Sequence, residues 1–320
     1  MSRKKWDELP SFAPYVPGSP EESVPHGKGA AKIVKLASNE NPFGASPLAL
    51  EAARIAMEQA HRYPDGSGKV LREALARKWG VSPGQILLGN GSTEIVELLA
   101  RALTGGGGSV VLSAQSFIMY RIAAQAAQAS YREVPLRNMR CDLLAMAEAC
   151  DEKTSLLYLA NPNNPTGTYV AKSDMEAYFR IVPEGVLTVL DEAYGEYLAR
   201  EDYPCGLEYL RQGRKVIVLK TFSKAYGLAG LRLGYALGSA DLIAALERFR
   251  SPFNTSRIAQ AAAQGALEDA DHLARSVRLN EEGLRYLEEH LVRLGIRYTP
   301  SVCNFLLVHF DRSDEQIYRE

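Results

Sequence analysis

Between positions 86 and 235 the chain alternates short apolar runs with stretches of helical periodicity, and this alternation does most to narrow its possible folds. Residues 86–88, 109–113, 131–136, 154–160, 186–190 and 216–219 read as strands. Residues 93–103, 119–127, a stretch near 142–150 and 173–180 carry helical spacing between them. Strand followed by helix, repeated, demands crossover connections, so the expectation is α/β: a mostly parallel sheet flanked by helices on both faces. Residues 233–237 are expected to return antiparallel. Gly105 to Gly108 form only a turn, because no strand precedes them as a phosphate loop would require.

Beyond Asn254 the pattern changes. Two helices, 256–267 and about 272–294 with Gly295 as its stop, precede short strands at 297–298 and 305–310, which fits a smaller α+β domain. The stretch before Pro47, with Pro14, Pro17, Gly18, Pro20 and Pro25, reads as an extended arm. The expected division is an arm and part of the small domain at 1–47, a large domain at 48–250 and a small domain at 251–320. No internal repeat interrupts this order.

Bulk properties exclude several classes of function. Lys and Arg number 37 against 38 Asp and Glu, leaving a net charge of −1 and no footprint for nucleic acid or an anionic membrane. The opening residues lack the apolar core of a signal peptide, and no apolar run approaches the ~18 residues of a spanning helix. Cys141, Cys150, Cys205 and Cys303 show no CxxC spacing and the five histidines show no metal-ligand spacing. A soluble cytoplasmic protein with reduced thiols and no metal is expected.

The chemistry gathers around Lys224. It follows the apolar run 215–220, with hydroxyls at Thr221 and Ser223 before it and Arg232 eight positions after it. An amine beside hydroxyls and a guanidinium, at the carboxyl end of a parallel strand, suits an aldehyde cofactor bearing a phosphate. Three upstream motifs support this. Gly89-Asn90-Gly91-Ser92-Thr93-Glu94 follows a strand and opens a helix, as a phosphate cradle does, although Ser92 or Thr93 as a plain helix cap reads equally well. Asn161-Pro162-Asn163-Asn164-Pro165-Thr166-Gly167 follows another strand. Asp191-Glu192-Ala193-Tyr194 ends a third, where ligands of open α/β sheets bind.

Together these motifs resemble the fold-type I pyridoxal-phosphate-dependent aminotransferases, and within them the histidinol-phosphate aminotransferase family. Asn164 and Asp191 stand 27 positions apart, and Asp191 and Lys224 stand 33 apart. Phe12-Ala13-Pro14-Tyr15-Val16-Pro17-Gly18, Ser38-Asn39-Glu40-Asn41-Pro42-Phe43-Gly44 and Arg62-Tyr63-Pro64-Asp65 follow in that family's order, so the resemblance spans essentially the whole chain.

The resemblance implies pyridoxal 5'-phosphate as cofactor and a role for each matching position. Lys224 would hold the cofactor as a Schiff base and then carry a proton between substrate and cofactor. Asp191 would pair with the pyridine nitrogen, and Asn164 and Tyr194 with the ring's 3-oxygen. Phe117, where the family more often has Tyr, would stack on the ring. Ser92, Thr93, Thr221, Ser223 and Arg232 would surround the phosphate, with Tyr63 reaching it from a second subunit of a homodimer. Tyr15 would likewise help close the substrate pocket of that second subunit, and Asn41 would bind substrate.

The expected reaction interconverts histidinol phosphate and imidazole acetol phosphate, with glutamate and 2-oxoglutarate as the second pair. An aromatic aminotransferase and a threonine-phosphate decarboxylase share these motifs. A protein that binds the cofactor without turnover stands as the alternative from another class. In the family the small domain continues for several dozen residues and supplies arginines for the substrate carboxylate and phosphate. Ser313-Asp314-Glu315-Gln316 resembles a capping box that opens a helix just before position 320. The 320 residues are therefore expected to lack those arginines, whether by truncation or as a naturally shortened protein with impaired substrate binding.

Overall fold

The computed structural model describes Phe12, Ala13, Tyr15 and residues 34–319. Pro14, Val16, Pro17 and Gly18 of the arm motif lie outside the described residues, as do Pro20 and Pro25. Helices α1 (Pro47–Met57) and α2 (Lys69–Trp79) lead into β1 (Ile86–Gly89), α3 (Gly91–Leu103), β2 (Ser109–Ser113), α4 (Met119–Ala126) and β3 (Ser130–Val134). Next come α5 (Leu143–Glu148), β4 (Thr154–Ala160), α6 (Lys172–Ile181), β5 (Leu187–Asp191), α7 (Gly206–Arg211), β6 (Val216–Thr221) and β7 (Gly234–Leu237). The remaining elements are α8 (Ala240–Glu247), α9 (Arg257–Glu268), α10 (Ala270–Arg293), β8 (Arg297–Thr299), β9 (Leu307–His309) and α11 (Asp314–Arg319).

Seven strands form one sheet in the order β1-β7-β6-β5-β4-β2-β3. Only β7 runs against its neighbours, as expected for 233–237, and the others are parallel. The apolar runs are continuous because both faces of the sheet are covered. Leu156 and Tyr158 of β4, with Ile217 and Leu219 of β6, point into a core with α3, α4 and α8. Their neighbours Leu157, Leu159 and Val216 pack on the other side with α5 and α6, while Val218 meets α2, α7 and α9 there. A separate antiparallel pair, β8 and β9, follows α10.

One local feature corrects an element boundary, and another bears out an expected helix start. The edge strand β3 ends at Val134 rather than at 136, since Pro135 has no N–H to extend the ladder. Ser313 caps α11 by accepting the Gln316 N–H at 3.2 Å. Helices α1, α2, α7 and α8 were not read from the periodicity.

The period of two along β5 and β6 also places charge inside the protein. Asp191 and Thr221 face the α3 side, so Glu192 and Lys220 face the opposite side. There the Lys220 ammonium lies 2.9 Å from Glu192 Oε2 and 3.4 Å from Glu196 Oε1, all three side chains at most 8% exposed. Glu192 Oε1 also accepts the Gly206 N–H at 2.7 Å, and the ammonium sits 4.9 Å from the centre of the Trp79 ring. Removing one member of such a group strands the others without a counter-charge. Lys220→Met should lower folding stability by about 3–5 kcal/mol in urea denaturation of the cofactor-free protein, and a loss below about 1 kcal/mol would show that the group is not load-sharing.

Candidate active site

Parallel strands that end on one edge bring their following loops together. The loops after β1, β2, β4, β5 and β6, with the residues leading into β7, enclose a cavity of about 940 Å³. That is near the upper end for small-molecule sites, with room for a cofactor together with a substrate.

Lys224 lies four residues beyond Lys220, in the turn after β6, and its side chain enters the cavity. The amine donates to the carbonyl oxygens of Ser38 at 3.0 Å and Asn39 at 3.3 Å, and lies 5.5 Å from the centre of the Tyr194 ring. Burial pushes the ammonium down to about 8; Glu40 opposes this and Arg232 reinforces it. A share of the amine is therefore neutral near neutral pH, the form needed for nucleophilic attack.

Asp191 is the last residue of β5 and is 5% exposed. Burial pushes its carboxyl up to about 6, against hydrogen bonds that favour the charged form. Oδ2 accepts the Tyr120 hydroxyl at 2.8 Å and Oδ1 accepts the Ala193 N–H at 3.0 Å. Burial also pushes the Tyr194 hydroxyl upward, so it is a neutral donor and an acceptor from the Asn39 amide at 3.3 Å.

The opposite end of the cavity is suited to an anion. Helix α3 begins at Gly91, not at Ser92 or Thr93, with Asn90 as its capping residue and no side-chain cap. Ser92 and Thr93 thus occupy the first turn, where N–H groups and the helix dipole favour negative charge. Arg232 faces this turn from a left-handed backbone conformation, φ +53°, which costs a non-glycine residue about 1–3 kcal/mol. Its guanidinium donates to Ser223 Oγ at 3.3 Å and to the Ala229 carbonyl at 3.1 Å. Thr221 Oγ1 accepts the Ser223 N–H at 3.0 Å, fixing the turn. The two close glycines are required: a Cβ on Gly91 would strike the Arg232 guanidinium, and one on Gly234 would strike the Ser92 nitrogen.

Of the residues singled out in the sequence, Ser92, Thr93, Phe117, Asn164, Asp191, Tyr194, Thr221, Ser223, Lys224 and Arg232 line this cavity, with Tyr15 at its rim. Asn41 does not. Its amide donates to the Ala225 carbonyl at 2.9 Å and to Ser276 Oγ at 3.1 Å, and its Oδ1 accepts the Phe43 N–H, so it braces the framework. Tyr63 is also absent from the wall; it is 78% exposed and stacks on Phe253 at 4.7 Å. Asn39, Ser116 and Tyr120 line the cavity without having been singled out. Tyr120 lies three residues after Phe117, a spacing that reads as an ordinary buried helix face.

Comparison with known proteins agrees with this geometry. A family model described as aminotransferase class I and II matches residues 31–320. The chain is 44% identical to histidinol-phosphate aminotransferase 2 of Carboxydothermus hydrogenoformans, over 98% of this chain and 86% of that one. It is 47% identical to histidinol-phosphate aminotransferase 2 of Pseudomonas aeruginosa, over 96% and 84% of the two chains. Among solved structures, histidinol-phosphate aminotransferase from Sinorhizobium meliloti in complex with pyridoxal-5'-phosphate superposes with a TM-score of 0.83 and 34% identity, covering 88% of this chain and 76% of that one. The L-threonine-O-3-phosphate decarboxylase from Porphyromonas gingivalis gives a TM-score of 0.73 at 22% identity, covering 86% and 83%; this likeness concerns the fold alone. No helix among the described residues is long and apolar enough to cross a membrane.

The raised carboxyl of Asp191 has a pH signature. With a folded value of about 6 against an ordinary 3.8, it favours folding while protonated. That contribution is complete below about pH 4 and is lost as pH rises through about 6, by about 3 kcal/mol in total. In cofactor-free protein, Asp191→Asn should therefore gain stability relative to the parent between pH 4 and pH 8, measured by urea denaturation at both values. A difference between the two proteins that does not change with pH would contradict the assignment.

Proposed function

The chain belongs to the class I and II aminotransferases, and from that premise we propose that it interconverts histidinol phosphate and imidazole acetol phosphate, with glutamate and 2-oxoglutarate as the second pair. One observation carries the chemistry: a partly neutral lysine and a buried carboxylate share a cavity with an anion cradle. The choice of substrate is supported by the names of relatives 44–47% identical over nearly the whole chain.

The residues present fit pyridoxal 5'-phosphate. Its aldehyde needs an amine, its ring nitrogen an anionic partner and its phosphate a cluster of donors; Lys224, Asp191 and the Ser92–Thr93–Ser223–Arg232 cradle supply them in one cavity. When bound, the cofactor supplies an electron sink for the substrate carbon that loses its proton. The protein does the rest. Lys224 would hold the aldehyde through its neutral amine and would serve as the base that moves the proton at the substrate Cα. Asp191, ionised, would favour a proton on the ring nitrogen, while Tyr194 and Asn164 would serve the ring oxygen. Phe117 would provide a flat apolar face for the ring, and the cradle would hold the phosphate.

Tyr63 supports a homodimeric site. Its exposed ring stacks on Phe253, outside its own chain's cavity. A second copy packed over this exposed aromatic pair would bring Tyr63 to the neighbouring phosphate cradle.

Three measurements test this reading. Turnover of histidinol phosphate with 2-oxoglutarate should release glutamate in step with the keto product. Turnover of phenylalanine alone would point instead to an aromatic aminotransferase, and carbon dioxide release without a keto acid to a decarboxylase. Lys224→Ala should leave no borohydride-trapped cofactor adduct by intact mass; an adduct elsewhere would overturn the lysine assignment. The rate at which apoprotein captures the cofactor should rise about tenfold per pH unit below pH 8 and level off above it, because only the neutral amine attacks and burial holds its pKa near 8. A stopped-flow profile that is flat from pH 6.5 to 9.5 would contradict that account.

A further inference from the structure

We propose that Tyr120, on α4, is a positioning residue for transamination: its hydroxyl holds Asp191 in place as the charged partner of the cofactor's ring nitrogen. The inference rests on the reading of the site given above and adds a residue that the motifs do not mark.

Tyr120 has no solvent exposure and is held from three directions. Its ring stacks on Tyr158 with centroids 4.9 Å apart and planes 2° from parallel, and meets Phe117 edge-on at 5.7 Å. Tyr158 is itself tied to α3, its hydroxyl donating to the Val96 carbonyl at 2.8 Å. Tyr120 therefore cannot swing without unstacking an aromatic pair and losing its contact with Phe117. The hydroxyl at the end of this fixed ring donates to Asp191 Oδ2 at 2.8 Å.

Packing alone does not require that hydroxyl. Phenylalanine would fill the same space between Tyr158 and Phe117. A buried hydroxyl is costly without a partner, and here the partner is the carboxylate. Burial together with the neighbouring Asp191 charge pushes the phenol far above its ordinary range, so it acts as a donor and never as a competing anion. The other groups acting on Asp191 are the Ala193 N–H, Glu192, Lys220, Tyr194 and Lys224, from its own strand end and from β6. Among the described residues, the Ala193 N–H is the other direct donor to the carboxylate. With one donor on each oxygen, the carboxylate plane is fixed, and its remaining lone pairs are available to the cavity. The segment leading into α4 thus presents, through Phe117, the face on which the cofactor ring would rest, and α4 itself orients the anion at the ring's edge, through Tyr120.

The test is Tyr120→Phe, which keeps the ring and removes only the donor. A charge-assisted hydrogen bond of this kind is worth roughly ten- to hundredfold in an equilibrium or a rate. The half-reaction with histidinol phosphate should slow by about that factor while the KM for the amino donor changes less than about threefold. The decisive readout does not depend on turnover. With ¹⁵N-labelled pyridoxal phosphate bound at pH 8, the ring-nitrogen resonance should move from the protonated toward the unprotonated position. Tyr158→Phe, which removes a hydroxyl from the other ring of the stack, should leave that resonance unmoved. If Tyr120→Phe does not fold, 3-fluorotyrosine at position 120 keeps the shape and strengthens the donor, and should shift the resonance toward fuller protonation. An unchanged resonance and an unchanged half-reaction in folded Tyr120→Phe, or an equal shift in Tyr158→Phe, would overturn the proposal. A parent chain that takes up no pyridoxal phosphate would fail earlier, sinking the reading of the site and this inference with it.

Discussion

A carboxylate held away from water has to be neutralised, hydrogen-bonded or given a cation, and the site is organised around meeting that demand at Asp191. The aspartate ends β5 inside the protein, where burial favours its protonated form. The Tyr120 hydroxyl and the Ala193 N–H oppose that tendency without abolishing it. A protonated ring nitrogen within reach would complete the balance, so the same desolvation that weakens the empty fold becomes binding energy for a cationic ring. Lys224 shows the converse effect: burial disfavours its charge and leaves an amine ready to react. One cavity thus shifts an acid up and a base down, the pattern expected where groups of both kinds work near neutral pH.

The sheet makes this possible through two regularities. Parallel strands end on one edge, which collects Asn164, Asp191, Lys224 and the first turn of α3 from distant parts of the sequence. Alternation along each strand then separates chemistry from support. Asp191 and Thr221 face the cavity side, whereas their neighbours Glu192 and Lys220 meet behind the sheet at 2.9 Å and tie the ends of β5 and β6 together. Asp191 at the end of β5 and the turn that carries Lys224 after β6 are therefore mounted next to strand ends clamped by an ion pair that the cavity never touches. The strained backbone of Arg232 fits the same scheme: the left-handed turn aims its guanidinium back at Ser223 and the first turn of α3.

Most of this was legible in the sequence where burial leaves a simple pattern. The central strands are covered on both faces, so their apolar runs gave their positions to within a residue or two, and the antiparallel return of β7 was anticipated. The edge strand slipped because Pro135, not hydrophobicity, ends it. Helices α1, α2, α7 and α8 escaped notice, as their periodicity is shorter or more mixed than that of α3 or α10. Lys224, Asp191 and Arg232 were readable because unusual residue types follow strands at characteristic spacings. Asn41 was misplaced for a related reason: the motif containing it was recognised as a unit, but only coordinates show that Asn39 faces the cavity while Asn41 braces Ala225 and Ser276. Tyr120 was invisible because an aromatic three residues after Phe117 in an amphipathic helix looks like core, and it is core; its hydroxyl alone departs from that role.

Lys224 and Asp191 are proposed as two ends of one pyridoxal phosphate site that accepts histidinol phosphate. The most direct test is the absorbance spectrum of the cofactor-loaded protein in a single half-reaction, with histidinol phosphate added and no keto acid present. The yellow band of the lysine-bound cofactor should disappear and the band of its colourless amine form should grow, with one equivalent of imidazole acetol phosphate released per site. A yellow band that persists unchanged at saturating histidinol phosphate, but bleaches with another amino donor, would contradict the substrate assignment. Failure to form the yellow band at all would contradict the site.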